Sequence, residues 1–184
     1  EVVEMNPGKL HSNDLDRVIL RDNEKVPTVE EFFQKYSKKR AASGEKLLFS
    51  FDYRLNNGEI TCKLAQEYGC EDQLYMCANF GPLFRKVRNI SEKVHLVASN
   101  SIRWLTFQTY TKLFSKYRRY GVEVFNIKAA DFNEEYKKKL LNDGFQFFIW
   151  DLHDEKRLRK YLPYRPHGIY SNFPDVALEI RKEL

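Results

Sequence analysis

A carboxylate and a guanidinium stand two positions apart at Asp52 and Arg54, at the end of the apolar stretch LLFSFDYR. Side chains two apart on a strand share a face, so the two groups converge if that stretch is a strand. Such a pair suits a divalent metal ion beside a phosphate, because a carboxylate is a hard oxygen ligand and a guanidinium a bidentate anion clamp. It also suits a structural ion pair, the plainer reading of such a pair. Polar residues close the other apolar stretches as well: Asn79, then Ser99 with Asn100, Asn126 with Lys128, Asp151 with His153, and Ser171 with Asn172. Trp150 sits at the end of FQFFIW, where its ring would either wall a ligand pocket or fill a core. Among the histidines, His95 lies inside an apolar stretch and reads as structural, and His153 begins a loop. His167 occupies a Pro-His-Gly turn, and His11 lies in a polar cluster near the start of the chain.

These groups meet only if the stretches that carry them belong to one sheet. Six runs have strand character: 47–53, 73–79, 93–98, 122–127, 145–150 and 168–171. They are continuously apolar rather than alternating, as strands buried on both faces are. Helical segments separate them. Thr28 with Glu31 forms a capping box that opens the first, expected to end at Ser43-Gly44. Further helices are expected over 59–68, 81–88, 102–120, 131–142 with Asp131 as N-cap, and 154–161, with a last one from Pro174. The segment 144–175 shows the pattern most clearly, as one strand, helix and strand.

This alternation argues for an α/β fold with a parallel sheet and outer helices, either a barrel or a doubly wound sheet. No glycine-rich phosphate loop follows any strand, which counts against a nucleotide-binding sheet. The expected fold is therefore of TIM-barrel type and incomplete, with about six of eight strands recognisable. In such a fold the chemistry sits at the C-terminal ends of the strands, where the polar residues above fall. An incomplete barrel exposes unpaired edges, so self-association or a covering N-terminal segment is expected.

At 184 residues with 42% hydrophobic residues, the chain has material for one core. A single domain over 1–184 is expected, with 1–26 its least regular part and 27–184 its repeats. The net charge of +5 is spread along the chain. Its basic runs, such as Arg118-Arg119 and Lys137-Lys138-Lys139, lie in helix-like segments and read as solvated faces rather than a nucleic-acid patch; small anionic ligands remain compatible. Cys62, Cys70 and Cys77 have neither disulfide-framework nor zinc-site spacing. They favour a reducing compartment, a secreted one requiring a leader removed ahead of Glu1. No apolar run approaches the roughly 18 residues of a membrane-spanning helix.

The order of segments resembles the glycerophosphodiester phosphodiesterases, TIM barrels of the phosphatidylinositol phospholipase C-like type. Val26-Pro27-Thr28-Val29-Glu30-Glu31 is similar to the family's Ile-Pro-Thr-Leu-Glu-Glu helix start, and Phe51-Asp52-Tyr53-Arg54 to its Ile-Glu-Ile-Lys third strand. The residues 74–80 resemble its fourth strand. Trp150-Asp151-Leu152-His153 stands where the family has Trp-Thr-Val-Asn, and His167-Gly168-Ile169-Tyr170-Ser171-Asn172-Phe173-Pro174 where it has Asp-Gly-Ile-Ile-Thr-Asp-x-Pro. The six strands then become the third to eighth.

The resemblance implies metal-dependent hydrolysis of a phosphodiester, of the glycerophosphodiester or lysophospholipid class. It implies a calcium or magnesium ion, with Asp52 as the third-strand ligand, and Arg54 and Trp150 on the substrate side. His11, in His11-Ser12-Asn13-Asp14-Leu15-Asp16-Arg17, is faintly similar to the family's His-Asp-x-x-Leu-x-Arg. That alignment would leave Glu1 and Glu4 near the second-strand metal ligands, although their spacing is not Glu-x-Asp. The family's first-strand His-Arg has no counterpart. The resemblance thus implies either an enzyme completed by a missing N-terminal catalytic part, or an inactive member serving as a phosphate-ligand binding or structural module, with little activity expected from this chain alone.

Overall fold

The computed structural model of the chain describes residues 25–53, 57–79, 81–99 and 107–184. Six strands form one sheet: β1 (Phe49–Asp52), β2 (Leu74–Ala78), β3 (His95–Ser99), β4 (Val122–Lys128), β5 (Gln146–Leu152) and β6 (Gly168–Ser171). Helix α1 (Val29–Tyr36) precedes the sheet. Each strand is then followed by a helix: α2 (Asn57–Glu67), α3 (Gly81–Arg88), α4 (Phe107–Arg119), α5 (Glu134–Asn142), α6 (Glu155–Tyr161) and α7 (Pro174–Lys182). Every pairing is parallel and the spatial order is the chain order, β1 to β6. A doubly wound sheet reverses its order at a switch point; unreversed winding is that of a barrel wall.

The sheet is also curled. Five inter-strand spacings of about 4.8 Å would hold β1 and β6 roughly 24 Å apart in a flat sheet. Yet the Ser50 hydroxyl on β1 lies 2.6 Å from the Tyr170 hydroxyl on β6. Only an arc brings the end strands within reach of one side chain, so the structure is an incomplete barrel of TIM type.

Two apolar layers follow from strand alternation. On the outer face, Phe33, Phe84, Phe125, Phe147, Leu140 and Ile149 are fully buried between sheet and helices. Each such side chain contributes about 1.5–3 kcal/mol relative to exposure. On the inner face, Cys77, Val97 and Val124 form a smaller cluster, covered by Tyr75, Phe148 and Tyr170.

Helix α2 begins at Asn57, ahead of the expected 59, and two other helix boundaries differ further from the sequence expectation. The Thr28–Glu31 capping box forms as expected, with Glu31 N–H donating to Thr28 Oγ1 at 3.1 Å and Thr28 N–H to Glu31 Oε2 at 2.8 Å. However, α1 ends at Tyr36 rather than near Ser43. Beyond Tyr36 the sequence SKKRAAS offers no large apolar residue to bury, and the chain turns back so that Arg40 and Lys46 pair as an antiparallel bridge. The N-cap of α5 is Asn133, whose Oδ1 accepts from Tyr136 N–H at 2.8 Å, and not Asp131. Residues Ala129–Asp131 form a 3-10 turn that lets Phe132 stack on Phe147, with ring centroids 5.5 Å apart.

Candidate functional site

Register places the polar strand ends on one face. Asp52 pairs with Cys77 and Cys77 with Val97, so Asp52 shares the inner face with that cluster. Asn79, Ser99 and Asn126 each lie two residues beyond an inner-face residue and therefore continue it. Lys128 and Trp150 are in register with each other one step further along. The C-terminal ends of β1 to β5 thus surround one mouth.

The wall over β1 to β3 holds a cavity of about 110 Å³ lined by Asp52, Tyr53, Cys77, Ala78, Asn79 and Ser99. Asn126 Nδ2 donates to Ser99 Oγ at 3.3 Å, while its Oδ1 is buried with no hydrogen-bond partner among the described residues. A buried acceptor in that condition costs about 1–3 kcal/mol. Deeper on the inner face, Cys77 Sγ lies 3.3 Å from both the Ser50 and Tyr170 hydroxyls. Burial raises the pKa of Cys77 and of Tyr170, so both stay protonated and neither is an activated nucleophile. Cys62, also buried, is pushed up to about 12 by desolvation.

The opposite wall, over β4 and β5, is charged. Lys128 Nζ sits 5.3 Å from the centroid of the Trp150 ring and 3.7 Å from Asp151 Oδ2. Asp151 Oδ1 is 2.8 Å from His153 Nε2, and Oδ2 is 3.4 Å from Arg157 Nη1, which also donates to the Asp151 carbonyl at 2.9 Å. Asp154 caps α6 by accepting from Arg157 N–H at 2.7 Å. Asp151 has φ +70°, in the left-handed region. That conformation costs about 1–2 kcal/mol for a non-glycine residue, whereas one exposed ion pair returns about 0–1 kcal/mol. It takes the several contacts together to hold Asp151 there.

Of the residues singled out from sequence, Asp52 lies on the first wall and Trp150, half-buried, on the second. Trp150 is therefore a mouth residue and not core. Arg54, His11, Glu1 and Glu4 lie outside the described residues. His95 is structural as expected: its Nδ1 is 2.7 Å from Glu123 and its ring stacks on Tyr75 at 4.5 Å, at the opposite ends of the strands from the mouth. The described residues do not compose the implied metal site. Asp52 is the one carboxylate lining the cavity, and among the described residues no group of three His, Cys, Asp or Glu is placed to hold an ion. Calcium takes six to eight oxygen ligands and magnesium an octahedron. Sequence reasoning placed Asp151 among the polar strand ends but missed its turn toward the mouth. The signal available was an aspartate, a residue that tolerates positive φ, between Trp150 and Leu152 in an otherwise apolar strand.

The sequence matches no family model and no curated protein. The fold does have solved counterparts. A protein from Silicibacter pomeroyi assigned as a glycerophosphoryl diester phosphodiesterase superposes with a TM-score of 0.70 at 13% identity, over 86% of this chain and 57% of that one. A glycerophosphodiester phosphodiesterase from Parabacteroides distasonis gives 0.70 at 12% identity, over 93% and 70%. A phosphodiesterase from Oleispira antarctica, in complex with its product sn-glycerol 3-phosphate, gives 0.68 at 13%, over 87% and 63%. At these identities what is shared is the fold: an α/β arc of TIM-barrel type, spanning little more than half the length of the Silicibacter pomeroyi protein.

Proposed function

We propose that the chain is a divergent relative of the glycerophosphodiester phosphodiesterases whose mouth binds a phosphodiester of the glycerophosphodiester or lysophospholipid class and hydrolyses it. The observation that carries this reading is the placement of Asp52, Asn79, Ser99, Lys128 and Trp150 on the inner face at the C-terminal strand ends. In barrels of this type that is where substrates bind. Lys128 offers a point charge to a phosphate, Trp150 an apolar surface to a glycerol or choline moiety, and Asn126 Oδ1 an acceptor awaiting a hydroxyl donor. The likeness in fold to a phosphodiesterase that holds sn-glycerol 3-phosphate supports the same class of ligand. In the cavity over β1 to β3 a calcium or magnesium ion would find one described carboxylate, Asp52, which is too few to hold it.

The test is to incubate the full chain with glycerophosphocholine and calcium or magnesium and to measure released choline. Low turnover, abolished by Asp52→Ala, is the expected result. A second reading, an inactive phosphate-binding module, is favoured by the single carboxylate in the cavity. It predicts no choline release but a higher Tm with sn-glycerol 3-phosphate. At ten times Kd such binding adds about 1.4 kcal/mol, roughly 3–6 °C for a chain of this size. Neither turnover nor a shift at millimolar ligand would sink both readings.

A further inference from the structure

Alternation along β5 would aim Asp151 at the helix layer, away from Trp150. Instead the β5–β6 register breaks between Ile149 and Leu152, and φ of +70° brings the Asp151 carboxylate round to the mouth beside Lys128. Breaks of this kind at barrel rims re-aim side chains, and strained residues cluster where geometry serves a site. What the re-aimed carboxylate holds is a histidine. His153 Nε2 lies 2.8 Å from Asp151 Oδ1, while the ring is about half exposed, at 53%. Among the described residues, the other charged groups paired at this corner are Lys128, Arg157 and Asp154, and the last is engaged by the α6 cap and by Arg157 Nε at 3.4 Å.

We propose that His153 is the proton-transfer group of this mouth and Asp151 its positioning residue, an inference that rests on the reading of the chain as a phosphodiester hydrolase. Asp151 accepts the Nε2 proton of the neutral ring, which leaves the lone pair on Nδ1. Nδ1 takes a proton from the attacking water as the water oxygen bonds to phosphorus. The bond from phosphorus to the leaving alcohol oxygen breaks, and that oxygen takes a proton from solvent. The imidazolium releases its own proton to solvent, so the net change is the addition of one water. Lys128 and Arg157, both paired with the same Asp151 carboxylate, are the cations available to the phosphate oxygens. Aspartate-held histidines recur in acid–base sites because the carboxylate fixes both tautomer and orientation.

Kinetics with glycerophosphocholine on the full chain test this. General base catalysis is worth 10²–10⁴-fold, so His153→Ala is expected to lower kcat at least about 100-fold with little change in KM. Added imidazole should restore part of the loss. Asp151→Asn, which keeps a residue tolerant of positive φ, is expected to lower kcat at least about tenfold at unchanged KM, and imidazole should not rescue it. Thermal melts of both variants check that the fold is intact. Wild-type turnover that His153→Ala retains within a few-fold would overturn the assignment and leave the hydrolase reading standing. A loss in His153→Ala that imidazole cannot restore would also overturn it. No turnover by the wild type would overturn both.

Discussion

Removing the Tyr170 hydroxyl, as Tyr170→Phe, tests whether the sheet curls as described. That hydroxyl on β6 meets the Ser50 hydroxyl on β1 at 2.6 Å, across a seam with no backbone pairing between the two strands. Burial, and after it the neighbouring Cys77, raises the Tyr170 pKa, so the phenol keeps its proton and the bond is neutral. A neutral intramolecular hydrogen bond has a net worth of about 0.5–1.5 kcal/mol. Phenylalanine retains the ring packed against Phe148, so the loss should be this bond together with the weaker contact of the Tyr170 hydroxyl with Cys77 Sγ, about 1 kcal/mol in all. Ser50→Ala should lose a similar amount, and the double variant should lose scarcely more than either single one. The coupling energy expected is about 0.5–1 kcal/mol, against the 0.3–0.5 kcal/mol within which distant sites add. Urea unfolding of the four proteins reads it: with m of about 2 kcal/mol per molar, each single variant moves the midpoint by roughly 0.5 M at unchanged m. In a flat sheet Ser50 and Tyr170 would not touch. Losses that add within error would therefore refute the curled arrangement.

Two further outcomes follow from contacts described above or close to them. The Glu123 hydrogen bond raises the pKa of His95 against the opposing effect of burial, while Glu123, although burial raises it, is lowered on balance by His95 and Arg88. A raised histidine contributes stability that is fully present below its unfolded pKa of about 6.5 and is lost as pH rises through the folded value. Glu123→Gln should accordingly cost most near pH 5.5, at most about 1 kcal/mol because the pair is partly exposed, and less near pH 8. Melting curves showing a constant or growing difference over that range would contradict the pairing. In the second case, a Cβ added at Gly168 would lie 2.8 Å from the Phe148 ring on the inner face. Gly168→Ala should destabilise the chain by about 1–3 kcal/mol, the usual cost of overpacking; a variant as stable as the parent in urea would mean that β6 packs differently.

The sheet was legible because its strands are marked twice, by apolar runs such as FQFFIW and by the breakers between them, and Gly121 and Gly144 both take positive φ where helices hand over to strands. Boundaries were less legible wherever a polar segment had two ways to satisfy its backbone. Lys38 to Ser43 could have prolonged α1, but with nothing to bury it turned into a hairpin instead. Asp131 and Asn133 were both fit to cap α5, and the choice fell to the packing of Phe132 on Phe147, a contact invisible in a local window. At the site, Asp52 and Trp150 lie on the inner face as a period of two requires, although the sequence left Trp150 open between pocket wall and core. The period failed at Asp151, because a break in register and a left-handed residue reverse the very alternation on which the reading depends.

The unreversed strand order bears on how the chain reaches this structure. Each strand pairs with the next along the chain, at separations of nineteen to twenty-seven residues. Loop closure over such lengths costs little beyond that of short loops, and sheets built from near neighbours fold faster than those built from distant ones. As the chain leaves a ribosome, β2 can dock on β1, and β3 on β2, before the rest is made. The Ser50–Tyr170 bond, 120 residues apart in sequence, waits until β6 has emerged. The arc therefore closes only after its strands have paired, and substitutions at that seam should hasten unfolding while leaving the refolding rate nearly untouched.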